Sequence, residues 1–110
     1  MGSFAPASRM LALLALVTLI LVPGPAAGQE ESLSVDIRDF AYNPAALTVA
    51  AGSTVTWTNS DTAPHTATGT GFDTGTLSRG QTGSATFADA GELAYSCTIH
   101  PSIQGVITVQ

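Results

Sequence analysis

Three side chains in this sequence carry the chemistry of a soft-metal site. Cys97 is the only cysteine, and His65 and His100 are the only histidines. Cys97 and His100 stand three residues apart in Tyr95-Ser96-Cys97-Thr98-Ile99-His100-Pro101-Ser102-Ile103, and His65 lies upstream in Ala63-Pro64-His65-Thr66. One thiolate and two imidazoles are a ligand set suited to copper. Zinc, by its tetrahedral habit, asks for a fourth donor, and none is apparent. Taken singly, each residue has a bland reading. A cysteine at a strand end is usually a small buried hydrophobe, and a histidine in a polar loop is usually solvated. The joint arrangement carries the metal reading. Pro64 and Pro101 each adjoin a histidine, and proline stiffens its neighbourhood by fixing φ. A stiff site suits electron transfer, because Cu(I) and Cu(II) prefer different geometries and a rigid compromise keeps the rearrangement between them small.

Such residues need a frame to bring them together, and the chain reads as short strands. Leu33-Ser34-Val35-Asp36-Ile37 alternates apolar and polar, the mark of a half-buried strand. Phe40 and Tyr42 alternate in the same way before the turn signal Asn43-Pro44. Leu47 and Val49 share one face of a strand over Ala46 to Ala50. Thr54 to Asn59 is β-branched and aromatic, with Val55 and Trp57 on one face and threonines on the other. A short strand is predicted over Thr66 to Thr68. Gly69 to Gly83 carries five glycines and reads mostly as loop, anchored by Phe72 and Leu77. Strands follow over Ser84 to Phe87, over Glu92 to Cys97 with Leu93, Tyr95 and Cys97 on one face, and over Gln104 to Val109. Short strands, frequent turns and no helical period predict an all-β sandwich or barrel.

The ligand loop gives the frame a family. Cys97-Thr98-Ile99-His100-Pro101-Ser102-Ile103 resembles the Cys-x-x-His-Pro-x-Met loop of the cupredoxins at every marked position but the last. Trp57-Thr58-Asn59 followed by Pro64-His65 resembles the segment bearing the family's first histidine. Phe72, Gly75, Leu77, Gly80, Phe87, Gly91 and Tyr95 are similar in spacing, and Gly105-Val106-Ile107-Thr108-Val109 resembles the closing strand. The resemblance runs from about Leu33 to Gln110 and is nearest to the small amicyanin- and plastocyanin-like members. It implies a Greek-key β-sandwich and one copper ion per chain. The implied ligands are Nδ1 of His65, Nδ1 of His100 and the thiolate of Cys97. It further implies that the Thr66 N–H donates to the Cys97 sulfur and that Asn59 ties the ligand loops together. The edge of His100 would lie in an apolar rim of Pro64, Ile99 and Pro101, where a redox protein partner docks.

The pattern breaks at Ile103, which occupies the axial methionine position and has no donor atom. Three consequences are open at this point. The copper is three-coordinate with a raised potential; an oxygen from Gln104 or the Pro64 carbonyl substitutes; or the chain binds copper weakly. Leu93 also stands where the family often has tyrosine, which bears on packing.

The N-terminal stretch is read apart from this domain. Arg9, the apolar run Leu11 to Val22, the helix-breaking Pro23-Gly24-Pro25 and the small residues Ala26-Ala27-Gly28 form a secretory signal peptide. The run is shorter than the ~20 residues a spanning helix needs. The expected organisation is a cleaved helical signal peptide over 1–28, a polar lead-in over 29–32 and the copper-binding domain over 33–110. Beyond residue 28 the chain has two basic residues, Arg38 and Arg79, against all eight acids. That balance argues against nucleic acid and against anionic membrane surfaces, and permits a basic protein partner. The expected product is an exported monomer, periplasmic or extracellular, without stable membrane insertion and without enzymatic activity. The nearest alternative is a copper carrier or buffer, and a more distant one is a metal-free interaction module. Carriers that exchange copper often use open, methionine-rich sites, whereas both methionines here, Met1 and Met10, precede the domain.

Overall fold

A computed structural model describes residues 32–110. The export signal expected over 1–28, and the lead-in as far as residue 31, lie outside the described residues. The described chain forms β1 (Ser32–Arg38), β2 (Ala41–Asn43), β3 (Ala46–Val49), β4 (Ser53–Asn59), β5 (Thr68–Gly69), β6 (Phe72–Asp73), β7 (Thr82–Phe87), β8 (Gly91–Ser96) and β9 (Gln104–Val109). They make a four-stranded sheet in the order β2-β1-β4-β7 and a five-stranded sheet in the order β3-β9-β8-β5-β6. Both sheets are mixed. β1 runs parallel to β4, with Val35 beside Trp57 and Ile37 beside Asn59. β9 runs parallel to β3 and antiparallel to β8.

Side-chain alternation explains why these segments are strands and where the core lies. On β4, Ser53, Val55, Trp57 and Asn59 are buried, while Thr54, Thr56 and Thr58 face outward. The outward hydroxyls pair across to β7, Thr54 with Thr86 and Thr56 with Ser84, both at 2.8 Å. Inward, Trp57 lies against the rings of Tyr95 and Phe72 at centroid distances of 5.5 and 5.4 Å. Its indole N–H donates to the Tyr95 hydroxyl at 3.1 Å, which satisfies the one polar atom of a wholly buried ring. Val35, Ile37, Val55, Ile107 and Val109 complete the layer between the sheets. Period-2 alternation also turns Asn59, the last residue of β4, inward, and so places a buried polar side chain where the strand runs into the His65 loop.

Gly105 lies in β9 opposite Tyr95. A Cβ there would fall 2.7 Å from Cε1 and Cζ of that ring and 2.8 Å from its oxygen. The missing side chain is what lets Tyr95 lie across the strand and reach Trp57. Gly105→Ala is therefore expected to destabilise the fold by about 1–3 kcal/mol through overpacking, read as a lower denaturation midpoint. An unchanged midpoint would mean that the ring gives way at no cost.

Several local expectations differ from the structure. The strand predicted over Thr66 to Thr68 is only Thr68–Gly69, with His65 in an isolated bridge to Leu77. The backbone donors between them are drawn elsewhere, Thr66 N–H to the Cys97 sulfur and Ala67 N–H to the Thr74 hydroxyl. The segment read as loop over 69–83 contains the β5–β6 hairpin, and β7 begins earlier than predicted, at Thr82. Phe40 does not share a face with Tyr42. Tyr42 is buried, whereas Phe40 is 52% exposed. Asp39 and Phe40 adopt φ of 54° and 53°, which reverses the chain between β1 and β2 and throws the Phe40 ring outward. The left-handed region costs an L-residue roughly 1–2 kcal/mol, so the surrounding structure has to hold this turn.

Candidate metal centre

Three loops meet at one end of the sandwich: the Asp39–Phe40 turn, the segment from β4 to β5 bearing His65, and the segment from β8 to β9 bearing Cys97 and His100. The strand pattern of β8 carries Cys97 inward just past its end, and it is wholly buried. Its N–H donates to the Ile103 carbonyl at 3.1 Å, and the Ile103 N–H donates to the His100 carbonyl at 2.9 Å. The loop thus closes on itself and turns the His100 ring back toward the sulfur. His65 is held by paired backbone hydrogen bonds with Leu77, at 3.1 and 2.7 Å.

The Cys97 sulfur lies 3.8 Å from Nδ1 of His65 and 3.9 Å from Nδ1 of His100. The three donor atoms all fall within 4.8 Å of one another. An ion bound at the roughly 2.3 and 2.0 Å usual for sulfur and nitrogen ligands would hold S and N about 3.7 Å apart in a trigonal plane. The residues present therefore fit a three-ligand metal ion with little movement. His65 is wholly buried and His100 only partly, so one imidazole is sealed in and the other reaches the surface.

The surroundings favour the thiolate. Burial alone would push the Cys97 thiol up. Donation from the backbone N–H groups of Thr66 and His100, with the His100 ring, outweighs it and holds the thiol below its usual range. The Thr66 N–H lies 3.3 Å from the sulfur. Two further bonds fix Thr66: its hydroxyl accepts from the Thr98 N–H at 3.0 Å, and its carbonyl accepts from the Tyr42 hydroxyl at 2.7 Å. Burial, with the Cys97 charge, raises the Tyr42 pKa, so this phenol stays a neutral donor.

Contrary to expectation, Asn59 does not tie the two ligand loops together, because all its side-chain partners among the described residues lie on the His65 side, within the His65 loop and at its bridge partner Leu77. Its amide donates to the carbonyls of Ala63 and Leu77 at 2.9 and 2.8 Å and accepts from the Asp61 N–H at 2.9 Å. Pro64 and Pro101 are exposed beside the two histidines, and Ile99 is 42% exposed. Ile103 is 98% buried and belongs to the core. Gln104 is exposed, with its amide 3.4 Å from the Pro101 carbonyl, and so does not turn into the site.

Two residues that sequence reasoning did not single out as part of the site also stand here. Asp61 accepts from Nε2 of His65 at 2.9 Å. Burial pushes its carboxyl up, but the Phe40 N–H, the His65 ring and the Asp39 N–H outweigh this and hold it below the usual range. The Phe40 ring sits edge-on to both imidazoles, 5.0 Å from each. The signal for Asp61 is a carboxylate four residues before a histidine in a tight loop. Phe40 gives none, because its conformation follows from tertiary contacts.

The chain is similar to known proteins in sequence and in fold. The family description "Cupredoxin-like domain" matches residues 10–109. Amicyanin of Paracoccus denitrificans is 34% identical over 89 residues, covering 72% of this chain and 66% of its own length. The chain thus spans just under two thirds of that relative. Amicyanin-alpha of Methylorubrum extorquens is 33% identical over 86 residues, covering 72% of each. Among solved structures, a methionine-to-alanine variant of amicyanin in the Cu(I) state superposes with a TM-score of 0.68 at 32% identity, covering 72% of this chain and 82% of that one. A purple cupredoxin from Nitrosopumilus maritimus gives 0.65 at 29% identity, over 70% and 98%.

Proposed function

This chain belongs to the cupredoxin family, and from that premise we propose that it is an exported electron carrier holding one copper ion between His65, Cys97 and His100. The observation that carries the reading is the convergence of one sulfur and two Nδ1 atoms within 4.8 Å at the mouth of a closed β-sandwich. Copper held there supplies a one-electron couple between Cu(I) and Cu(II). The chain's own residues do the rest.

Cys97 provides the soft, charged donor, and its lowered pKa makes the thiolate available at neutral pH. The Thr66 N–H draws charge from that sulfur and so tunes the potential. Asn59 holds the His65 loop closed, so the donors keep their places in both redox states. Ile103 fills the axial position with hydrocarbon. With Gln104 turned outward, no side chain among the described residues replaces the usual thioether, which favours Cu(I) and a high potential. His100, the partly exposed ligand, is the route by which electrons leave, and the rim of Pro64, Ile99 and Pro101 is where a redox protein docks. The excess of acids permits a basic partner. The export reading rests on the N-terminal charge, apolar run and small-residue site. The chain acts as a monomer and is not an enzyme. Its buried, methionine-free donor set is the opposite of the open sites that suit metal exchange.

Adding Cu(II) to the copper-free protein tests this. The expected result is an intense visible thiolate-to-copper band that saturates at one equivalent and bleaches and returns through repeated reduction and oxidation. No such band would overturn the reading. A band that fades as copper leaves at each reduction would point to a copper carrier instead.

A further inference from the structure

Asp61 makes three contacts with one carboxylate. Its Oδ1 accepts the Asp39 N–H at 2.8 Å, and its Oδ2 lies 3.0 Å from the Phe40 N and 2.9 Å from Nε2 of His65. Asp39 and Phe40 are the two non-glycine residues with positive φ among the described residues. Their successive N–H groups converge on the carboxylate as a small anion-binding nest. The turn they form has one product, an aromatic ring set edge-on 5.0 Å from each of the two imidazoles. Phe40 is itself 52% exposed, so it stands between solvent and the rings.

We propose that Asp61 is a positioning residue that couples the sealed ligand to a cap: one carboxylate sets the tautomer of His65 and clamps the turn that seats Phe40 over the metal centre. The two tasks are chemically linked. A carboxylate has only acceptors, so the His65 nitrogen facing it carries the proton. Nδ1 is then left with its lone pair toward the Cys97 sulfur, 3.8 Å away. The same oxygen anchors the Phe40 backbone. Loss of the carboxylate therefore turns the ring chemistry of His65 and loosens the cap together. Phe40 controls how readily outside ligands reach the copper, because its half-exposed ring packs against both imidazoles at once.

This inference rests on the copper reading, and the test separates the two. In the copper-free protein, nitrogen NMR of the histidine rings is expected to show His65 protonated at Nε2. In Asp61→Ala the proton should move substantially to Nδ1, toward the thiolate. An unchanged tautomer in that variant would overturn the proposal, and this readout needs no metal. In the copper-loaded protein, extraction by a Cu(I) chelator should be about tenfold faster in Phe40→Ala and in Asp61→Ala, the rate equivalent of ~1.4 kcal/mol. Phe40→Leu, which keeps a bulky apolar cap, should stay near the parent rate. The double variant Phe40→Ala with Asp61→Ala should be no faster than the faster single variant, since both act through one cap. Parent-like extraction in Phe40→Ala, or rates that multiply in the double variant, would overturn it. Phe40→Ala removes only an exposed ring, so this arm stands even if Asp61→Ala folds poorly. A parent chain that takes up no copper would sink the electron-carrier reading instead, and the tautomer measurement would still decide the role of Asp61.

Discussion

Cys97→Ser is expected to give a folded protein that shows no blue colour with Cu(II). The serine hydroxyl is a harder donor with a far higher pKa than the Cys97 thiol, which the neighbouring N–H donors hold below its usual range. Loss of a residue that merely supports a metal ligand costs about 10–100-fold in affinity, and loss of the thiolate should exceed that range. The fold should tolerate the change. Cys97 is buried, but its side chain is small, and an oxygen in its place can still accept from the Thr66 N–H. The expected penalty is that of one imperfect hydrogen bond, about 1 kcal/mol. Visible spectroscopy with Cu(II) and a denaturation curve without it separate the two effects. A retained charge-transfer band would mean that the sulfur is not a ligand, whereas a collapsed melting curve would mean that it is chiefly a core residue.

The second large effect is expected at Ile103. It sits at the end of the ligand loop, its N–H bound to the His100 carbonyl and its side chain in the core. Ile103→Met would place a thioether where there is now only hydrocarbon, at nearly conserved volume. A weak axial donor favours Cu(II), so the reduction potential should fall. If the thioether prefers Cu(II) by ten- to a hundredfold, the drop is about 60–120 mV, at ~59 mV per factor of ten for one electron. Voltammetry of the two copper-loaded proteins measures it. A potential that is unchanged or higher would show that residue 103 does not face the copper axially.

Much of the fold and most of the site are legible in the amino-acid sequence. The ligand set can be read from residue type alone, because soft and imidazole donors are few enough here to be counted. Trp57 and Val55 announce their face of β4 through strict alternation, and the same period turns Asn59 inward. The Cys97 to His100 spacing sets the local curl of the ligand loop. What stays hidden depends on contacts between distant segments. Thr66 looks like a strand residue, and only the Cys97 sulfur explains why its N–H leaves the ladder. Phe40 fits a strand pattern perfectly in sequence, yet a carboxylate about twenty residues away holds its backbone in the left-handed region. Asp61 is one acid among eight until its neighbours are known.

The place of β9 bears on when the site comes into being. It is the last strand in the chain order described, yet it lies inside its sheet, between β3 and β8. Its parallel partner is about sixty residues upstream, with Val106 beside Ala46. Pairings of such long range are closed late and slowly during folding, because the intervening chain has to give up its freedom first. Cys97 and His100 sit on the segment that leads into this strand, and the loop closes through Ile103, next to its first residue. The thiol and its two imidazoles are therefore expected to converge as β9 docks. Until then the chain carries them as separate, ordinary side chains. The energy of metal binding accordingly falls on the final step of assembly, where it rewards the finished sandwich and not a partial one.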